Sequence, residues 1–81
     1  MNKLYVGNLG NEITEEIIRQ QFNKNIGKVD EVKLIINRHS ETNYAFVKLQ
    51  RIEDCEKAVH NFNKYISYNW TVYKSNDTIK E

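Results

Sequence analysis

Two short runs of this chain are apolar on both sides of an alternating pattern: Leu4-Tyr5-Val6-Gly7-Asn8-Leu9 and Tyr44-Ala45-Phe46-Val47-Lys48-Leu49. Successive side chains of a strand point to opposite faces. In the first run Leu4 and Val6 therefore share one side, and Lys3 and Tyr5 the other. In the second, Ala45, Val47 and Leu49 share one side, and Tyr44, Phe46 and Lys48 the opposite one. One set can fill a core. Three rings interleaved with lysines on the other side need a different explanation.

The first strand runs from Lys3 to Gly7, with Asn8-Leu9-Gly10-Asn11 as a loop, and between and after the two runs the period changes. Thr14 to about Asn23 predicts a helix: Thr14 is a suitable N-cap, and Glu15 and Glu16 complement the positive end of the helix dipole. Ile18 and Phe22, four residues apart with Ile17 beside them, supply its apolar stripe. Asn25-Ile26-Gly27 predicts its end, with Gly27 in a left-handed or turn conformation. Val29 to Ile36 reads as a strand with Val32, Leu34 and Ile36 on one face, and Asn37 to Asn43 as a polar turn. The third strand covers about Thr42 to Leu49. A second helix follows from Ile52 to about Phe62, with Cys55, Ala58, Val59 and Phe62 as its stripe. The last strand runs from Asn69 to Ser75, with Trp70 and Val72 on the core side and Thr71 and Tyr73 opposite.

The order βαββαβ predicts an α+β, ferredoxin-like domain: a four-stranded antiparallel sheet with two helices packed on one face. Residues 1–75 form the domain and 76–81 a polar tail. The second sheet face is then open, and by parity it carries Lys3, Tyr5, Lys33, Ile35, Tyr44, Phe46, Lys48, Thr71 and Tyr73. An exposed apolar patch marks a binding surface. Rings flanked by cations suit single-stranded nucleic acid, whose bases stack and whose phosphates seek positive charge.

Composition narrows the choice. Eighty-one residues, 40% hydrophobic and 28% charged, describe one folded domain and not a disordered chain. A net charge of +1 argues against binding polyanions by bulk charge, so the distribution matters more: acidic residues gather on the helices and several lysines on the strands. Cys55 is the sole cysteine and can form no intrachain disulfide, in keeping with a reducing nuclear or cytoplasmic setting. No apolar stretch approaches a membrane span, and the opening residues lack a signal-peptide pattern, so no membrane partner is expected. An enzyme lacks its parts: two histidines and one cysteine have no metal spacing, no motif places an acid–base pair, and no cofactor is implied.

Several residues have plainer roles. Arg38 and His39 belong to a polar turn, His60 to a helix end, and Cys55 and Trp70 to the core. Gly7, Gly10 and Gly27 do not form a phosphate-cradling loop.

On these residues the chain resembles an RNA recognition motif domain. Leu4–Leu9 is similar to that family's first-strand signature, and Thr42–Leu49 to its third-strand octamer. The resemblance implies that Tyr5 and Tyr44 each stack a base and that Phe46 packs on a base or on the sugars between two bases. Lys3, Lys33 and Lys48 would neutralise phosphates, and Tyr73 would extend the surface at its edge. The chain departs from the family pattern at Thr42, where Lys or Arg is usual, at Asn43 in place of glycine, and at Leu49 in place of an aromatic. The expected partner is single-stranded RNA, about two to four nucleotides of it, in messenger-RNA processing or regulation. The expected affinity is on the order of micromolar, so further domains or protein partners would assist. The alternative is a module of the same fold that docks a protein on its sheet or helices.

Overall fold

Helical stripes and strand faces meet in one buried layer. The computed structural model describes residues 2–64 and 69–75. The elements are β1 (Lys3–Leu9), α1 (Glu15–Asn25), β2 (Val29–Ile35), β3 (Asn43–Leu49), α2 (Ile52–Lys64) and β4 (Thr71–Lys74). The strands form one antiparallel sheet in the order β2-β3-β1-β4. Leu4, Val6, Val47, Leu49 and Val72 of the sheet are fully buried against Ile18 and Phe22 of α1 and Cys55 and Ala58 of α2. Both helices therefore cover one sheet face, as the βαββαβ pattern predicts. The expected tail, 76–81, lies outside the described residues.

Inside this layer Phe22 stacks on Phe62 at 4.7 Å between ring centroids, and Phe62 stacks on Trp70 at 5.6 Å. Three rings thus tie α1, α2 and the approach to β4 together. Such pairs add about 0.5–1.5 kcal/mol each beyond their buried area.

The α1 boundaries follow from capping. Thr14 Oγ1 accepts the Ile17 amide at 3.2 Å, the N-cap expected of it. At the other end the amides of Ile26 and Gly27 both reach the Phe22 carbonyl, at 2.8 and 3.0 Å. Of the left-handed or turn conformation expected of Gly27, the left-handed one is not taken, since no glycine has positive φ, and its amide closes the helix end on the Phe22 carbonyl instead. A Cβ there would meet the Asp54 carboxylate, which would have to shift to admit it.

Two irregularities decide which residues face where. In β1 the register shifts between Val6 and Leu9, and Asn8 takes φ 61°. Asparagine tolerates that conformation better than most residues. The extra residue brings Leu9, expected in a loop, back into the core with full burial. The Asn8 side chain donates to the Asn69 carbonyl at 2.7 Å, anchoring the irregularity to the segment before β4.

In β2 the shift falls between Val29 and Glu31, so Asp30 is the extra residue. Val29 turns inward opposite Leu49, while Glu31 pairs with Lys48 on the open side. Side chains of α1 grip this point: Asn23 Oδ1 accepts the Val29 amide at 3.1 Å, and Arg19 Nη1 donates to its carbonyl at 3.5 Å. Further along, Glu15 Oε2 accepts the Leu34 amide at 3.0 Å. Ile36, expected on the core face, is 59% exposed, because it follows the last cross-strand pair of β2, Ile35 with Tyr44.

The β2–β3 connection closes on Asn43. Its side chain is buried and its Oδ1 accepts the Asn37 amide at 3.0 Å.

Candidate functional site

Cross-strand pairing lays out the open sheet face in rows. The central row reads Lys33, Phe46, Tyr5, Tyr73 across β2, β3, β1 and β4. The row on one side reads Glu31, Lys48, Lys3. On the other side Ile35 faces Tyr44 and Gly7 faces Thr71, with the β1 irregularity between the two pairs. Strand alternation supplies these rows, and the antiparallel register aligns them.

Tyr5 is the hub. Its ring centroid lies 5.8 Å from Tyr44, 6.0 Å from Phe46 and 6.0 Å from Tyr73. Tyr73 is nearly parallel to it, at 19°, whereas Tyr44 and Phe46 meet edge to face at 89°. The sequence-predicted rings therefore form one contiguous surface. Tyr5, Tyr44 and Phe46 are half-buried by one another and by their strands, and Tyr73 stands more exposed at the β4 edge.

Gly7 makes room for this arrangement. A Cβ on Gly7 would fall 2.6 Å from the Tyr5 hydroxyl oxygen and under 3 Å from two ring carbons. Any side chain there would collide with the phenol.

The three expected lysines differ in their setting. Lys33 and Lys48 are exposed. Lys3 is half-buried, and its ammonium sits 5.1 Å from the centroid of the Phe46 ring, a cation–π contact. A groove of about 570 Å³ runs between these lysines past Phe46 and Tyr44. Asn2 and Glu31, not singled out in the sequence, also line it. Glu31 could have been found, because it shares the strand parity of Lys33. Asn2 lies just before β1 and is drawn in by backbone pairing: the Leu49 amide donates to its carbonyl at 2.9 Å, and its side-chain amide donates to the Leu49 carbonyl.

Arg38 and His39 do sit in a turn, in which the Asn37 side chain accepts the His39 amide at 3.0 Å. They also border a smaller hollow of about 360 Å³ with Ile35, Ile36 and Tyr44. Thr42 spends its amide on the Ser40 hydroxyl at 3.2 Å and offers no cation where the family's usual basic residue would stand. Cys55 is buried, and burial pushes its thiol pKa up, which keeps it protonated and inert. Among the described residues no cluster of His, Cys, Asp or Glu is placed to hold a metal ion, and no helix is long and apolar enough to cross a membrane.

This geometry has counterparts in known proteins. The family model of the RNA recognition motif matches residues 4–73. A curated relative, the nuclear and cytoplasmic polyadenylated RNA-binding protein PUB1 of Saccharomyces cerevisiae, is 38% identical over 61 residues. That match covers 74% of this chain but only 13% of the relative's length. Among solved structures, the RRM3 domain of Mip6 superposes with a TM-score of 0.81 at 26% identity, covering 93% of each chain. The RRM of Rna15 with bound GU RNA superposes at 0.70 with 28% identity, over 96% of this chain and 87% of that one.

Proposed function

This chain belongs to the RNA recognition motif family, and we propose that it binds single-stranded RNA on the open face of its sheet. The observation that carries the reading is the cluster of Tyr5, Tyr44, Phe46 and Tyr73 on the face the helices leave uncovered. Bases stack on Tyr5 and Tyr44. Phe46 receives a base or the sugars between two bases, and Tyr73 lengthens the platform toward β4. Lys33 and Lys48 meet phosphates. Lys3 has two roles: without RNA its ammonium covers Phe46, and an arriving base displaces it toward a phosphate.

The RNA-bound Rna15 relative and the polyadenylated-RNA-binding relative support this reading. They also support a place in messenger-RNA processing or regulation, in the nucleus, the cytoplasm or both. The domain acts as a binding module and not as a catalyst. Each base stack contributes about 1–3 kcal/mol. Two or three stacks, less the cost of ordering a flexible strand, leave affinity on the order of micromolar. Function then draws on further domains or protein partners that raise effective concentration.

The test is an NMR titration with a pool of short random RNAs. Amides of β1 and β3 should shift, and Tyr5→Ala should weaken binding by roughly tenfold or more. Lys48→Ala should flatten the salt dependence by about 0.7 in log–log slope, the share of one single-strand phosphate. If the sheet amides stay still while helix amides respond to a protein, the domain is a protein-docking module instead.

A further inference from the structure

The groove past Phe46 has one acidic side chain among its lysines, that of Glu31. It lies on β2 two positions from Lys33, and its cross-strand partner is Lys48. Among the described residues its carboxylate has neither a hydrogen bond nor an ion pair, although lysines line the same groove. Its position is also fixed from behind. The extra residue Asp30 lets Val29 turn into the core while Glu31 stays on the open face, and Asn23 and Arg19 of α1 hold both backbone groups of Val29.

A carboxylate only accepts hydrogen bonds. It repels phosphate, which Lys33 and Lys48 attract, so what it can receive is a ribose 2′-hydroxyl or the donor edge of a base, and of these only the base edge carries sequence information. Single-stranded RNA offers its Watson–Crick edges for this purpose. Uracil presents one ring N–H between two carbonyls, and adenine and cytosine each present one amino group beside an acceptor nitrogen. Guanine presents N1–H and the 2-amino group side by side. Those two donors match the two oxygens of a carboxylate in a charge-assisted bidentate pair.

We propose that Glu31 makes the groove past Phe46 a guanine-selecting subsite. The inference rests on the RNA-binding reading above and adds a base preference to it. A base leaning on Phe46 has its edge toward β2, and Glu31 discriminates by accepting from both guanine donors.

The test compares short uridine oligonucleotides carrying one central guanine, inosine, adenine or cytosine, by fluorescence anisotropy. The guanine oligonucleotide should bind about tenfold tighter than all-uridine, the scale of one good bidentate contact. Inosine, which lacks the 2-amino group, should lose most of that gain. Glu31→Gln, a change at an exposed position, should abolish the guanine preference, so that the guanine and inosine oligonucleotides bind alike. Equal affinity for guanine, adenine and cytosine, or a guanine preference that survives Glu31→Gln, overturns this inference and leaves RNA binding standing. Failure of every oligonucleotide to bind overturns both.

Discussion

Tyr5 lies across Gly7 on the same strand, so closely that a methyl group on Gly7 would meet the phenol oxygen at 2.6 Å. The hub of the aromatic surface is thus seated by the absence of a side chain two residues away. Gly7→Ala should tilt the Tyr5 ring out of its place among Tyr44, Phe46 and Tyr73. The expected result is a loss of RNA affinity of roughly tenfold, up to the scale of one base stack, with the far-ultraviolet dichroism of the fold retained. Titration of the variant beside Tyr5→Ala measures it; affinity equal to the parent would show that the ring relocates without cost.

Asn43 stands where the family usually has glycine, and its buried Oδ1 takes the Asn37 amide. Asn43→Ala removes that acceptor. The expected cost is about 1–3 kcal/mol of stability from the unpaired amide, together with faster hydrogen exchange at Asn37. Urea unfolding and exchange measurements on the same variant check the two halves.

Thr14→Ala tests whether α1 depends on its cap. Loss of the Oγ1 acceptor for the Ile17 amide should cost about 1 kcal/mol. For a domain of this size that lowers Tm by roughly 4–8 °C. RNA affinity should not change, because α1 lies behind the sheet; scanning calorimetry and a binding isotherm separate the two effects.

Lys74 of β4 donates to the Glu56 carboxylate of α2 at 2.7 Å, and this hydrogen bond and the ammonium charge hold the Glu56 pKa below the usual value. A carboxyl whose folded pKa is lowered adds stability above its unfolded pKa and loses it as pH falls through the folded one. The link between β4 and α2 should therefore weaken as pH falls through the folded pKa of Glu56. Carboxyl-carbon NMR should find Glu56 titrating lower in the parent than in Lys74→Ala. Identical midpoints would mean that the pair does not persist in solution.

Much of this molecule was legible in the sequence, for a physical reason. Alternation in Leu4–Val6 and Ala45–Leu49 assigns each side chain a face, and the Ile18–Phe22 and Cys55–Phe62 stripes say which face is covered. Once the covered face was known, the rings of Tyr5, Tyr44, Phe46 and Tyr73 had only the other face to occupy. What alternation could not show are the two register shifts. A single extra residue reverses parity, so Leu9 fell outside the expected strand and Val29 is buried beside an exposed Asp30. Gly27 left two conformations open in the sequence, because glycine permits positive φ without requiring it; the structure ends α1 at negative φ, with Asp54 beside the glycine. Lys3 was legible as a cation on the right face, while its lodging over Phe46 depends on a cross-strand geometry no linear pattern records.

The hydrogen bond from the Leu34 amide to Glu15 has a meaning beyond joining α1 to β2. β2 is an outer strand of the sheet, and outer strands invite pairing by passing chains. An incoming strand would have to evict the Glu15 carboxylate before it could recruit that amide. The helix thereby occupies, on one border of the sheet, a donor that an added strand would need, and does so from the side away from the rings.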